Sequence, residues 1–296
     1  MVNTDNSLDN PNTIAAALAL GKAHCAQSES PSLDAQLLLM HVLGCDRTRL
    51  MGWPEQVLTP DQDKQYRQLL KQRAAGHPVA HLTGTREFWS LPLEVNASTL
   101  IPRPETECLV EATLERACSV LENKPEVEIL ELGTGTGAIS LALASELPDS
   151  IILATDKLDE AVALAIRNRD RLGLERIEII QSDWFKSIPK NRTFNVIVSN
   201  PPYIDASDPH LEQGDVRFEP HTALVSGENG LADIGHIICE GVHYLNREGW
   251  MLLEHGHLQG EPVRELFRKF GYQHIHTLQD YANLDRITLA QFNLPQ

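Results

Sequence analysis

Residues 127–139 read VEILELGTGTGAI. An apolar run from Val127 ends in three glycines at alternate positions, Gly133, Gly135 and Gly137, with Thr134 and Thr136 between them. An apolar helical stretch, Ala138–Leu147, follows at once. Strand, glycine turn and helix in direct succession let a ligand rest on bare backbone at a helix N-terminus, because glycine accepts left-handed turns and carries no Cβ. Acidic Asp156 ends the next apolar run, 23 positions beyond Gly133, where a carboxylate can accept hydrogen bonds from ribose hydroxyls. The pattern predicts an adenosine-containing cofactor.

The alternation continues on the carboxyl side. Strand-like runs at 127–130, 151–155, 177–181, 195–199, 250–254, 274–278 and 287–291 make seven, and 138–147, 159–172, 231–245 and 262–270 read as helices. Such βαβ order requires a mostly parallel sheet with helices on both faces, so a Rossmann-like seven-stranded α/β fold is expected. No helical pattern joins the last two strands, which are expected to pair antiparallel at the sheet edge.

Upstream the texture changes. Leu33, Leu37, Leu38 and Met40 lie in a run bounded by Pro31 and Gly44. Thr59, Pro60 and Gln62 have the form of a capping box with proline at the first helical position, and Gly76 and Pro78 are placed to end that helix. Residues 1–85 read as a small all-helical domain. Residues 86–104 read as a stiff β-hairpin linker, with Phe88, Trp89, Leu91, Leu93 and Val95 strand-like and Asn96 and Ser98 as turn residues. Residues 105–296 form the α/β domain.

The choice of cofactor turns on details. Gly133, Gly135 and Ala138 also satisfy the dinucleotide pattern G-x-G-x-x-G/A. Glu131, however, stands two residues before the first glycine, where an anion repels a pyrophosphate and suits a sulfonium with an amino group. S-adenosyl-L-methionine is therefore favoured over NAD. Asp183 and Trp184 follow the third strand, beside the expected position of the base. Trp184 either flanks the adenine or packs under a loop, and Asp183 is a candidate acceptor for its amino group.

The fourth strand runs into Ser199-Asn200-Pro201-Pro202-Tyr203-Ile204. A residue before proline is pushed out of the α region, and neither proline has an N–H. The turn therefore presents acceptors, the Asn200 side-chain oxygen and the Pro201 carbonyl, at the carboxyl end of a central strand. Two adjacent acceptors suit an NH2 group whose lone pair is delocalised; holding both its hydrogens aims the nitrogen at an electrophilic methyl. Pro202 and Tyr203 complete the substrate-binding turn, with the Tyr203 ring against a flat group. Asn200, Pro201 and Tyr203 are the expected catalytic residues, and Asn200 also touches the cofactor. No metal is expected.

Composition bounds the partners. The chain has 296 residues with 25 basic and 41 acidic, a net charge of −16. Residues 1–85 hold 7 basic and 8 acidic residues, which leaves 18 and 33 for residues 86–296, so −15 of the charge lies on the part with the motifs. A protein that holds a phosphate backbone needs a basic surplus, so stable nucleic-acid binding is not expected. The five cysteines are scattered without a CxxC pair, and the stretch MVNTDNSLDN is too polar and acidic for a secretory signal. A cytoplasmic protein without a membrane segment is expected.

Together, ELGTGTGAI and SNPPYI resemble the signature of class I S-adenosylmethionine-dependent N-methyltransferases. Gly84–Trp89 (GTREFW), Leu100–Glu107 (LIPRPETE), Gln213–Pro220 (QGDVRFEP), Glu254-His255-Gly256 and Asp285-Arg286 narrow it. The chain resembles the HemK/PrmC family of release factor glutamine N5-methyltransferases over nearly its whole length. That resemblance implies methylation of the glutamine in the Gly-Gly-Gln motif of class 1 peptide chain release factors, with 1–85 recognising substrate. It implies that the 133–137 loop, Asp156 and Trp184 bind cofactor and that 200–203 bind the glutamine amide. Arg103, Glu105 and Thr106 would line the junction near the methionine end of the cofactor, with Arg103 toward substrate. The alternatives are an adenine or guanine amino-methyltransferase of DNA or RNA, a ribosomal-protein glutamine methyltransferase, and an NAD-binding oxidoreductase that leaves the Asn-Pro-Pro-Tyr turn unexplained. The acidic surplus is a candidate docking field for a basic release-factor domain.

Overall fold

A computed structural model describes residues 12–293; the polar N-terminal stretch read above as no secretory signal lies outside the described residues. The chain divides into two compact units, one ending at Gly84 and the other beginning at Thr85.

The first unit contains helices α1 (Ile14–His24), α2 (Pro31–Leu43), α3 (Arg47–Gly52), α4 (Pro60–Ala74) and α5 (Val79–Thr83). The capping box at Thr59 is complete: Gln62 N–H donates to Thr59 Oγ1, and Thr59 N–H donates to Gln62 Oε1. Gly44 ends α2 in the left-handed region. Tyr66 is fully buried and donates to the Ala35 carbonyl at 3.1 Å. A Cβ on Gly21 would come within 2.0 Å of the Tyr66 hydroxyl oxygen, so only glycine lets α1 approach there. Asp34, also buried, accepts from Arg73 at 2.6 Å and from Ser28 and Ser30, which satisfies an ion pair that burial would otherwise destabilise. Among the described residues, no helix is long and apolar enough to cross a membrane.

The second unit opens with a hairpin of β1 (Thr85–Phe88) and β2 (Leu91–Glu94). Its reversal falls at Trp89 and Ser90, both with positive φ (53° and 59°), and not at Asn96 and Ser98. Two-residue hairpins need that left-handed pair to match the strand twist, whatever the residue preferences. Asn96 instead makes its own small turn, its Oδ1 accepting from Ser98 N–H at 2.8 Å. A helix absent from the sequence reading follows, α6 (Glu107–Leu121), which buries Leu109, Val110, Ala112 and Ala117.

The main sheet comprises β3 (Glu128–Leu132), β4 (Ile151–Asp156), β5 (Glu178–Gln181), β6 (Phe194–Ser199), β7 (Leu245–Glu254), β8 (Gln273–Gln279) and β9 (Asp285–Phe292), in the order β5-β4-β3-β6-β7-β9-β8. The first five in chain order are parallel; β9 pairs antiparallel with both β7 and β8, so β8 alone forms that edge and β9 lies inside. The helices are α7 (Ala138–Glu146), α8 (Asp159–Arg171), the single turn α9 (Gly227–Gly230), α10 (Ala232–Gly241) and α11 (Gly260–Lys269). The expected helix 231–245 stops at Gly241, where a Cβ would meet the Met251 methyl at 2.1 Å, and Leu245 already belongs to β7.

From β3 the chain proceeds to β4 on one side, while β6 occupies the other. The crevice above β3 and β6 is thus the topological switch point, where open α/β sheets bind ligands. Leu132 and Ser199 are register partners, and the Ser199 hydroxyl donates to the Leu132 carbonyl at 2.7 Å. The glycine loop and the Asn200 turn therefore leave the sheet side by side.

Candidate active site

A cavity of about 360 Å³ opens at this switch point. Its wall includes Gly133, Thr134, Gly135, Thr136 and Ala138 of the loop, Glu131 below them, Asp156 at the end of β4, Trp184 after β5, Asn200 and Pro202 after β6, and Thr99, Arg103 and Thr106 from the stretch before α6. That volume lies in the range of small-molecule sites.

The loop is built from backbone. Gly133 and Gly135 have φ of 73° and 55°, a conformation glycine adopts without strain. Two carboxylates hold it, Glu131 buried and Asp156 half-buried. Glu131 Oε2 accepts from the Thr134 hydroxyl at 2.6 Å and the Ser140 N–H at 3.1 Å. Burial pushes Glu131 up to about 7, against the pull of those donors. Asp156 Oδ2 accepts from Gly135 N–H at 2.9 Å and its Oδ1 from Leu158 N–H at 3.0 Å; burial also raises its pKa. Gly137 does not face the cavity: its φ of 86° starts α7, and a Cβ there would meet Leu141 at 2.9 Å.

The expected partners of the base divide. Trp184 lies in the wall with φ of 53°, a costly conformation for a bulky residue, over Gly133. Asp183, expected as an acceptor for an amino group, stands outside the cavity wall. Its carboxylate pairs with Lys186 and, at 3.5 Å, with Lys157, which lowers its pKa.

The Asn200 turn is built from side chains and remote support. Asn200 Nδ2 donates to Thr106 Oγ1 at 3.2 Å, and among the described residues no donor reaches Asn200 Oδ1. Pro201 and Tyr203 lie outside the cavity wall, Pro201 because it is buried in the turn. The Tyr203 hydroxyl donates to Glu254 Oε1 at 3.3 Å, and its pKa is raised above the ordinary tyrosine range by burial and by Glu254. Gln259 Nε2 donates to the Tyr203 carbonyl at 3.0 Å and to the Asn229 carbonyl at 3.1 Å. Gly230 lies so close that a Cβ would stand 2.0 Å from that Tyr203 oxygen. Neither Gln259 nor Gly230 announces itself in sequence; the nearest signal is Glu254-His-Gly256, three residues before Gln259. Arg103 is turned to Glu219, whose oxygen lies 2.6 Å from its guanidinium, so one end of the expected substrate arginine is already engaged.

Fold and site together define a methyltransferase of the class I, Rossmann-like kind. The family model of the methyltransferase small domain matches residues 114–215, and that of the PrmC N-terminal domain matches residues 16–84. A methyltransferase from Pyrococcus furiosus shares the fold, with a TM-score of 0.52 at 20% identity, over 69% of this chain and 90% of that one. The release factor glutamine methyltransferase of Escherichia coli K12 is 54% identical over 265 residues, 90% of this chain and 94% of that protein. Its counterpart in Vibrio cholerae serotype O1 is 50% identical over 282 residues, 95% and 97% respectively. The chain belongs to the release factor glutamine methyltransferase family.

Proposed function

We propose that this protein transfers a methyl group from S-adenosyl-L-methionine to the side-chain amide nitrogen, N5, of the glutamine in the Gly-Gly-Gln motif of class 1 peptide chain release factors. The observation that carries the reading is Asn200 in the cavity wall with its amide nitrogen tethered and its oxygen free, in a chain about half identical to enzymes of that name.

The cavity suits the cofactor on three counts. Gly133 and Gly135 offer bare backbone, Asp156 offers a carboxylate at the end of β4, and the Thr99 hydroxyl in the wall is buried without any protein partner. Glu131, the loop from Gly133 to Thr136, Asp156, Trp184 and Asn200 hold it, Glu131 mainly by fixing the loop. When bound, the cofactor supplies an electrophilic methyl on a sulfonium.

The chain's own residues do the rest by positioning. Asn200 Oδ1 and the Pro201 carbonyl accept the two hydrogens of the glutamine NH2, which aims the nitrogen without a strong base. Tyr203, held at its hydroxyl by Glu254, fixes the face it offers to the flat amide. The surplus proton leaves once alkylation has made the nitrogen acidic. Residues 1–85 recognise the release factor, and the acidic surplus of 86–296 attracts its basic domain; an association rate that falls as salt rises is the expected sign.

The test is methyl transfer to a purified release factor, read as the mass of one added CH2 on the Gly-Gly-Gln peptide. Replacing that glutamine should abolish the gain. Label that persists in the replaced factor, or that moves to RNA, would overturn the proposal.

A further inference from the structure

His255 follows directly on the end of β7 and is fully buried, outside the cavity wall and unused by the steps above. Both of its ring nitrogens are engaged. Nδ1 lies 2.9 Å from the Gly256 carbonyl oxygen, and Nε2 lies 2.8 Å from Thr288 Oγ1. Thr288 Oγ1 is 2.9 Å from Oγ1 of Thr277, its register partner on β8, and Arg264 of α11 donates to Thr277 Oγ1 at 2.6 Å.

Counting hydrogens orients every bond in this chain. A carbonyl only accepts and a guanidinium only donates, so Nδ1 carries a hydrogen and Thr277 accepts from Arg264. The Thr277 hydrogen then goes to Thr288, and the Thr288 hydrogen to the lone pair of Nε2. Each hydrogen in the chain has one acceptor. The opposite tautomer would set a bare Nδ1 against a carbonyl oxygen. A cationic ring would reverse the two middle bonds and turn the Thr277 hydrogen onto the Arg264 donor. Burial also holds the ring below the usual histidine pKa.

The chain continues toward the Asn200 turn. The Gly256 carbonyl also accepts from Gln259 N–H at 2.8 Å, and Gly256 N–H donates to Gln259 Oε1 at 2.8 Å. With its oxygen taken by an N–H, the Gln259 side chain offers its NH2 to the other side. There it meets two carbonyls, Tyr203 at 3.0 Å and Asn229 at 3.1 Å. We infer that His255, as the neutral Nδ1–H tautomer, is a positioning residue: by holding the Gly256 carbonyl it sets the loop from which Gln259 clasps the turn that carries Asn200 and Tyr203. This rests on the methyl-transfer reading above and extends it to a residue that touches neither cavity nor turn.

Two substitutions each keep one half of the ring. Asparagine places an NH2 where Nδ1 stands and reaches no further; glutamine reaches Thr288 and leaves the Gly256 carbonyl without its side-chain donor. Packing alone favours the larger glutamine, whereas the positioning role favours asparagine. His255→Asn should keep kcat within about 3-fold of wild type and His255→Gln should lose about 10-fold, with cofactor affinity by calorimetry nearly unchanged in both. Gln259→Glu, at a half-buried position, keeps the acceptor for Gly256 and loses both hydrogens offered to Tyr203 and Asn229; its kcat should fall by as much as that of His255→Gln. Ring nitrogen NMR of the wild-type protein reads the tautomer without turnover and should find the proton on Nδ1 and none on Nε2. A proton on Nε2, a His255→Asn variant as slow as His255→Gln, or wild-type kcat in Gln259→Glu would each overturn the inference and leave the methyl-transfer reading intact. A wild-type protein that methylates no release factor overturns that reading instead, and the ring proton then decides the network alone.

Discussion

The glycine loop and the Asn200 turn leave neighbouring strands and face one cavity, yet they are made in different ways. The loop is local. Its ligand-facing groups are its own backbone, and the two carboxylates that hold it, Glu131 and Asp156, lie on β3 and on the adjoining β4. The turn is a composite. Asn200 depends on Thr106, and Tyr203 on Glu254, Gln259 and Gly230, residues from 27 to 94 positions away in sequence. A site for a constant cofactor can be carried by bare backbone. A site that must present one acceptor oxygen in one orientation needs side chains, and side chains need support from several elements.

Substitutions can break that contrast, beginning with the largest effect. Asn200→Ala should lower kcat by about 10²–10³-fold, as loss of a preorganised polar group does, and leave cofactor affinity within a few-fold by calorimetry. A comparable loss of cofactor affinity would mean that the turn belongs to the cofactor site. Gly230→Ala forces a Cβ against the Tyr203 carbonyl at a residue with φ of 82°. It should cost about 3 kcal/mol in denaturant unfolding and reduce turnover more than cofactor binding. Asp156→Ala is the mirror experiment on the loop. Losing its hydrogen bonds to Gly135 and Leu158 should weaken cofactor binding by about 2 kcal/mol, roughly 30-fold, with kcat at saturation less affected.

The pH dependence of stability sharpens the comparison, since each region holds one buried glutamate pushed up to about 7, Glu131 in the loop and Glu254 at the turn. Glu131 faces Asp156; Glu254 faces Arg286, Tyr203 and Glu105. A carboxyl raised from 4.5 to about 7 on folding binds its proton more tightly in the folded state. Its contribution to stability is full below pH 4.5 and is lost as pH rises through 7. Glu131→Gln and Glu254→Gln should each flatten that slope by on the order of 1 kcal/mol between pH 5 and 8, measured by urea unfolding. A steeper slope in either variant would contradict the burial argument. The smallest effect is expected at Asp183, whose lysine pairs are exposed: Asp183→Ala should change cofactor affinity by less than about 0.5 kcal/mol.

The same contrast explains what could be read in advance. The loop was legible because glycine spacing, a strand before it and a helix after it are all contiguous. The sheet strands were legible as short apolar runs, and the capping box at Thr59 as a local pattern. The hairpin reversal at Trp89 and Ser90 was not, because strand twist there overrides residue preference. Helix α6 was missed although Leu109, Val110, Ala112 and Ala117 all fall on its buried side, because it begins just after the linker without a side-chain cap to mark its start. The pairing of Asp183 with Lys157 was not legible, because those two residues meet only in the folded chain.

By itself, then, the sequence determined the α/β alternation and the glycine loop between its first strand and helix, since each follows from backbone chemistry within a few residues. Only the tertiary structure decided which way the Asn200 amide faces, that Tyr203 is tied to Glu254, that Arg103 is bound to Glu219, and that Gln259 and Gly230 clasp the turn. The physical reason is hydrogen-bond accounting in a buried space: each donor and acceptor there must be matched, and the matching partners come from distant parts of the chain.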